Sequence, residues 1–98
     1  MHEMAYAEGI LAVALDVAEG QHVRRVQVHV GDLHRIVSDS LQFCFELASE
    51  DTPAAGARLD VRVVPGDGMQ VDAVELDDGW RYRPDRVEPS ASGTRREA

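Results

Sequence analysis

The sequence predicts an α+β fold: two helices packed on a small three-stranded mixed sheet, in the order helix, strand, helix, strand, strand. Three observations carry this expectation. Apolar residues recur every three or four positions from residue 3 to 19 and again from 38 to 48, the period of an amphipathic helix. Valines alternate with polar residues in VRRVQVHV and RLDVRVVP, the period of a half-buried strand. A length of 98 residues allows one domain with a modest two-layer core and no second one.

In the first helix Met4, Ala7, Leu11, Ala14 or Leu15, and Ala18 form a stripe that Ile10, Val13 and Val17 widen. Glu3 and Glu8 lie where the helix dipole favours anions, and Gly20 after Glu19 is a stop signal, so the helix is expected from His2 or Glu3 to Glu19. In the first strand Val26, Val28 and Val30 alternate with Arg25, Gln27 and His29, and Gly31-Asp32 ends it. The loop GDLHRIVSDS leads into the second helix, with Ser38 or Asp39 as N-cap, Leu41, Cys44, Phe45 and Ala48 on one face, and Thr52-Pro53 closing it.

The second strand carries Leu59, Val61 and Val63 on one face. After the turn composition PGDG comes a third strand, where Met69, Val71 and Ala73 give way to Val74 and Leu76, a phase change that suggests a bulge. Two strands joined by so short a link are expected to be antiparallel neighbours, whereas the helix between the first two permits parallel pairing. The domain is expected to occupy residues 1–80. The remainder, RYRPDRVEPSASGTRREA, is rich in Pro, Ser, Gly and Arg without an apolar period and reads as a disordered tail over 81–98. Trp80 and Tyr82 are expected to cover the sheet edge or the end of the core.

Eighteen Asp and Glu stand against ten Arg and no Lys, a net charge near −8. Nucleic-acid binding gains most of its affinity from clustered cations, so this balance argues against it and points to cationic partners or metal ions. The single Cys44 can form no internal disulfide and no Cys-based zinc site within one chain; it reads as a packed thiol. The apolar run Ile10–Val17 is preceded by acids, interrupted by Asp16 and too short to span a bilayer. A soluble, cytoplasmic protein that meets no membrane is expected. No nucleophile-base arrangement and no phosphate-cradling glycine loop is present, which argues against an enzyme.

Several segments together carry a resemblance: the MHE start, the strand ending V-H-V-G-D-L, DSLQFCFELA followed by T-P-A-A-G-A-R-L-D-V, and GMQVDAVELDD. Over about the first seventy-eight residues the chain resembles the nickel-binding domain of the HypA family of nickel metallochaperones, which serve [NiFe]-hydrogenase maturation and, in some organisms, urease. The resemblance implies Ni(II) as cargo, and a hydrogenase maturation GTPase and a hydrogenase large-subunit precursor as partners. It also marks a departure. Family members carry a zinc domain built on two C-x-x-C pairs between the last two strands, where this chain has PGDG alone, and four thiolates cannot come from one cysteine. No zinc site is expected, and replacement of that domain by a tight turn is expected to leave the sheet undisturbed.

The chemistry of the first three residues stands without the family. The amine of Met1, the amide nitrogen and imidazole of His2 and the amide of Glu3 form fused chelate rings that offer a planar nitrogen set. Ni(II) and Cu(II) both favour that geometry and both drive amide deprotonation. The bulk of His2 disfavours removal of Met1. Each residue also has a plainer reading: His2 as an exposed terminal histidine, and Glu3 as a first-turn acid on the helix dipole. Asp39 is either an N-cap or, as the resemblance implies, a carboxylate near the metal, and His29 and His34 are either structural or further ligands. The alternative function is a metal-independent interaction module of the same fold.

Overall fold

A computed structural model describes residues 3–88. Helix α1 spans Glu3–Ala18, strand β1 Val23–Gly31, helix α2 Ser38–Ala48, and strands β2 to β5 Arg58–Val64, Met69–Leu76, Gly79–Arg81 and Asp85–Arg86; a 3-10 turn, Asp32–His34, follows β1. Among the described residues the architecture is α+β, with two helices and a mixed sheet. The sheet has five strands rather than the expected three, because β4 and β5 are too short to show an alternating period.

α1 ends where its sequence says it should: Glu19 takes φ 50° and Gly20 φ 89°, a left-handed exit that glycine makes cheap. Its buried face is built of small residues, Ala7, Gly9, Ala14 and Ala18, around Ile10 and Val17, which lets the helix sit close to its neighbours. α2 contributes Leu41 and Phe45, both fully buried in the same core as α1, so the two helices lie on one face of the sheet. Burial of Phe45, Ile10 and Leu41 stabilises the fold by about 1.5–3 kcal/mol each.

β1 is the central strand. It pairs in parallel with β2, Val28 opposite Val61, and antiparallel with β3, Val28 opposite Val71. Its Val23, Val26, Val28 and Val30 are each at most 2% exposed, the burial expected of a strand with neighbours on both sides. The expectation that β2 and β3 are adjacent is therefore corrected: β1 lies between them, and the PGDG link passes over its end. Two strand spacings amount to roughly 10 Å, while the five Cα steps from Val64 to Met69 reach roughly 17 Å, so the span is easily made. The backbone N–H of Gly31 donates to Gly68 O at 2.6 Å and that of Leu33 to Gly66 O at 2.9 Å. A Cβ on Gly31 would overlap the carbonyl oxygen of Gly66 and stand 2.8 Å from Asp67 Cα, so only glycine fits under this crossing.

The bulge falls at Asp72, which the register skips between Val71 and Ala73. Ala73 consequently pairs with Gln27 and is buried outside the main core, while Val74 and Leu76 return to it. Asp77 and Asp78 turn the chain into β4, with Gly79 at φ 128°. Trp80 on β4 is half-buried and stacks on the exposed Tyr82, ring centroids 6.0 Å apart.

Residues 81–88, expected within a disordered tail, are ordered against β3. β5 pairs with Gln70 and Val71, the Val87 N–H donates to Met69 O at 3.0 Å, and the Val87 side chain is buried. Gly9 makes room for this strap, since a Cβ there would meet the carbonyl oxygen of Glu88 and lie 3.0 Å from Val87 Cγ1. An apolar period could not reveal it, because Val87 is its one buried residue. The rest of the expected tail, 89–98, lies outside the described residues.

Candidate metal centre

α1 starts at Glu3, and the other two proposed ligands, Met1 and His2, lie outside the described residues. The first turn of a helix has N–H groups with no carbonyl four residues back, so the Glu3 amide is one whose proton is not needed by the helical ladder. The Glu3 carboxyl is held below its ordinary range. The positive charge of the amino terminus contributes most, and the backbone N–H groups of Glu3 itself and of Val37 add to it against the cost of desolvation. The interaction with Val37 brings the start of α1 beside the start of α2.

The scaffold around this end is polar and short-range. Tyr6, one turn into α1, meets His34 edge-on, ring centroids 5.2 Å apart, and its hydroxyl makes a long 3.4 Å hydrogen bond to His34 Nδ1. His34 Nε2–H donates to the Asp67 carbonyl at 2.6 Å, so the assigned tautomer has Nδ1 as acceptor for Tyr6. Asp32 Oδ1 accepts the Gly66 N–H at 3.0 Å, and Arg35 ends the 3-10 turn in the left-handed region, φ 54°. These bonds tie α1, the loop after β1 and the PGDG crossing into one knot. With both ring nitrogens engaged, His34 acts in this structure as a structural tie between three segments.

His29 lies elsewhere, on β1, with Nδ1 2.9 Å from Asp72 Oδ1 at the bulge. Asp39 is not the N-cap of α2: Val37 takes that place in extended conformation, its carbonyl accepting the Leu41 N–H at 2.9 Å, and no side chain caps the helix. The exposed Asp39 instead sits in the first turn, where its charge meets the helix dipole, and lines a cleft of about 480 Å³ between α2 and β2. Cys44 is half-buried on α2 as a free thiol. Among the described residues no three His, Cys, Asp or Glu side chains converge, and no helix is long and apolar enough to cross a membrane. Sequence reasoning missed the Tyr6–His34–Asp67 relay at this end, which depends on the crossing of PGDG over β1.

A family model described as hydrogenase/urease nickel incorporation metallochaperone, HypA, matches residues 1–72, from the first residue through α1, β1, α2, β2 and the start of β3. The chain is 38% identical over 66 residues to the hydrogenase maturation factor HypA of a Nostoc species, covering 67% of this chain and 58% of that protein. It is 40% identical over 68 residues to the hydrogenase maturation factor HypA of Geobacter metallireducens, covering 69% and 62%. The same name belongs to an Azoarcus relative, 39% identical over 71 residues. The chain spans about three fifths of the length of these curated relatives. With the fold, the matched segment and these identities together, the chain belongs to the HypA family of hydrogenase/urease nickel-incorporation metallochaperones.

Proposed function

We propose that this chain is a cytoplasmic nickel carrier for [NiFe]-hydrogenase maturation, and not an enzyme. Residues 1–80 act as its nickel-binding domain, without a zinc domain. The observation that carries the reading is the family match, which begins at residue 1 and so includes Met1-His2-Glu3. In this reading the Met1 amine, the His2 amide and imidazole, and the Glu3 amide hold Ni(II) in a planar nitrogen set. The position of Glu3 at the head of α1 supports it, because a metal can take that amide nitrogen without removing a helical hydrogen bond. The acidic surface then docks on a maturation GTPase and on a hydrogenase large-subunit precursor.

Calorimetry with Ni(II) on the untagged chain, beside His2→Ala and a chain extended by a few residues before Met1, tests the carrier. A single 1:1 event is expected in the first and in neither of the others, since the extension buries the amine and moves the histidine. Binding that is absent, or that survives both changes, refutes the carrier and leaves a metal-independent docking module.

A further inference from the structure

β2 is a seven-residue edge strand whose one strand partner among the described residues is β1. One bond fixes which of its backbone groups face outward. The Leu59 N–H donates to Gln42 Oε1 on α2 at 2.9 Å and so is not spent on β1. Backbone groups alternate between the two sides of a strand, so Leu59, Val61 and Val63 turn theirs outward while Asp60 and Arg62 bond β1. We propose that this edge pairs, antiparallel, with the same edge of a second copy of the chain, Val61 opposite Val61.

Charge selects that register. Asp60 then stands opposite the other copy's Arg62, twice by symmetry, and Leu59 stands opposite Val63, also twice. The pairs at 61 and at 59 with 63 fall on the outward backbone groups; the Leu59 N–H stays with Gln42, so at 59 with 63 it is the Leu59 carbonyl that accepts, from the Val63 N–H. The Asp60–Arg62 pairs fall on the non-hydrogen-bonded positions, where facing side chains come closest. Slipping by two residues, the smallest step that keeps outward groups opposed, puts Asp60 on Asp60 and Arg58 on Arg62, or Arg62 on Arg62. Both neighbouring registers are repulsive, so the strand carries its own negative selection against slippage.

The surroundings suit a second copy. Val63 is 55% exposed, and pairing sets it beside the other copy's Leu59. The dyad stands perpendicular to the sheet, so both copies keep their helices on one face, with α2 of each bordering the joint.

Sedimentation velocity on the untagged full chain over a concentration series, with and without Ni(II), tests the pairing. Wild type is expected to show the same monomer–dimer equilibrium in both conditions. Asp60→Arg and Arg62→Asp, each folded by circular dichroism, are each expected to raise the dimer Kd roughly tenfold or more, because like charges now face each other twice. An equimolar mixture of the two is expected to form a heterodimer. One copy then carries arginine at both positions and the other aspartate at both, so each facing pair is again of opposite sign. Val61→Pro, which removes an outward N–H at the dyad, is expected to abolish the dimer; because Val61 also packs against the core, it should lower the melting temperature modestly, and its fold is checked by circular dichroism as for the charge reversals. A wild type that stays monomeric to millimolar concentration, single reversals that dimerise like wild type, or a mixture that stays monomeric would each overturn the proposal.

Discussion

The two edges of the sheet are built in opposite ways. The outer edge of β3 is covered twice, by β4 opposite Val74–Leu76 and by β5 opposite Gln70 and Val71, and Val87 closes the end over Gly9. The outer edge of β2 has the Gln42 side chain on one N–H, charges at alternate positions and an exposed Val63. Edge strands must be protected from indiscriminate pairing, and this chain uses covering segments on one side and charge patterning on the other. The lesson is that changes at the covered edge should register in folding stability, whereas changes at the bare edge should register in association.

The largest effect is expected where the chain passes from one edge to the other. Gly31→Val drives a branched side chain into Gly66 beneath the crossing and should cost about 3 kcal/mol or more in urea unfolding, since backbone has to move. Gly9→Ala tests the covered edge through its sign. Helix propensity alone would make this change stabilising by about 1 kcal/mol, yet the overlap with Glu88 should make it destabilising by about 1–2 kcal/mol. Val87→Ala, which removes buried methyl groups from the same strap, should cost about 1–2 kcal/mol. A stabilised Gly9→Ala together with a neutral Val87→Ala would erase the contrast between the edges.

On the bare edge Val63→Thr should change thermal stability by less than about 0.5 kcal/mol, because the side chain is already more than half in water. The smallest effect belongs to the turn into β4. Asp78 is exposed, and its hydrogen bond from Arg81, 3.1 Å, holds its carboxyl below the ordinary range. A depressed carboxylate pKa stabilises the fold above the unfolded pKa and loses that contribution as pH falls through the folded one. Asp78→Asn should therefore lower the melting temperature only slightly at pH 7, and the difference should fade as acidification passes below the ordinary aspartate range.

Local rules read the elements better than their arrangement. The period of β1, the Glu19-Gly20 stop and the bulged phase change in β3 were all legible, because each depends on neighbours in sequence. Strand order was not: alternation in RLDVRVVP marks a strand without saying which strand lies beside it, and a four-residue link serves a crossing as well as a hairpin. Asp78-Gly79 was a usable hairpin signal for β4, since that pair readily forms the turn between antiparallel strands. At the α2 start Ser38 and Asp39 have the composition of caps, but the extended residue is Val37, and capping follows conformation. The candidate site was legible only as chemistry. The role of His34 is set by Tyr6 and Asp67, segments that meet only once the crossing is made, and His2 and Met1 lie outside the described residues.

The central place of β1 also governs when the sheet can form. Val28 finds its partners at Val61 and Val71, thirty-three and forty-three residues further along, so nothing nearby in the chain can complete the strand. Loop closure over such distances is slow, and β-rich topologies of this kind fold more slowly than helical ones. As the chain leaves the ribosome, β1 waits for most of the domain to be synthesised, with Val26, Val28 and Val30 lacking strand partners in the meantime. α1, Ala-rich and complete by residue 18, is the first apolar surface to emerge that can shelter them, joined by Leu41 and Phe45 of α2 before β2 is made.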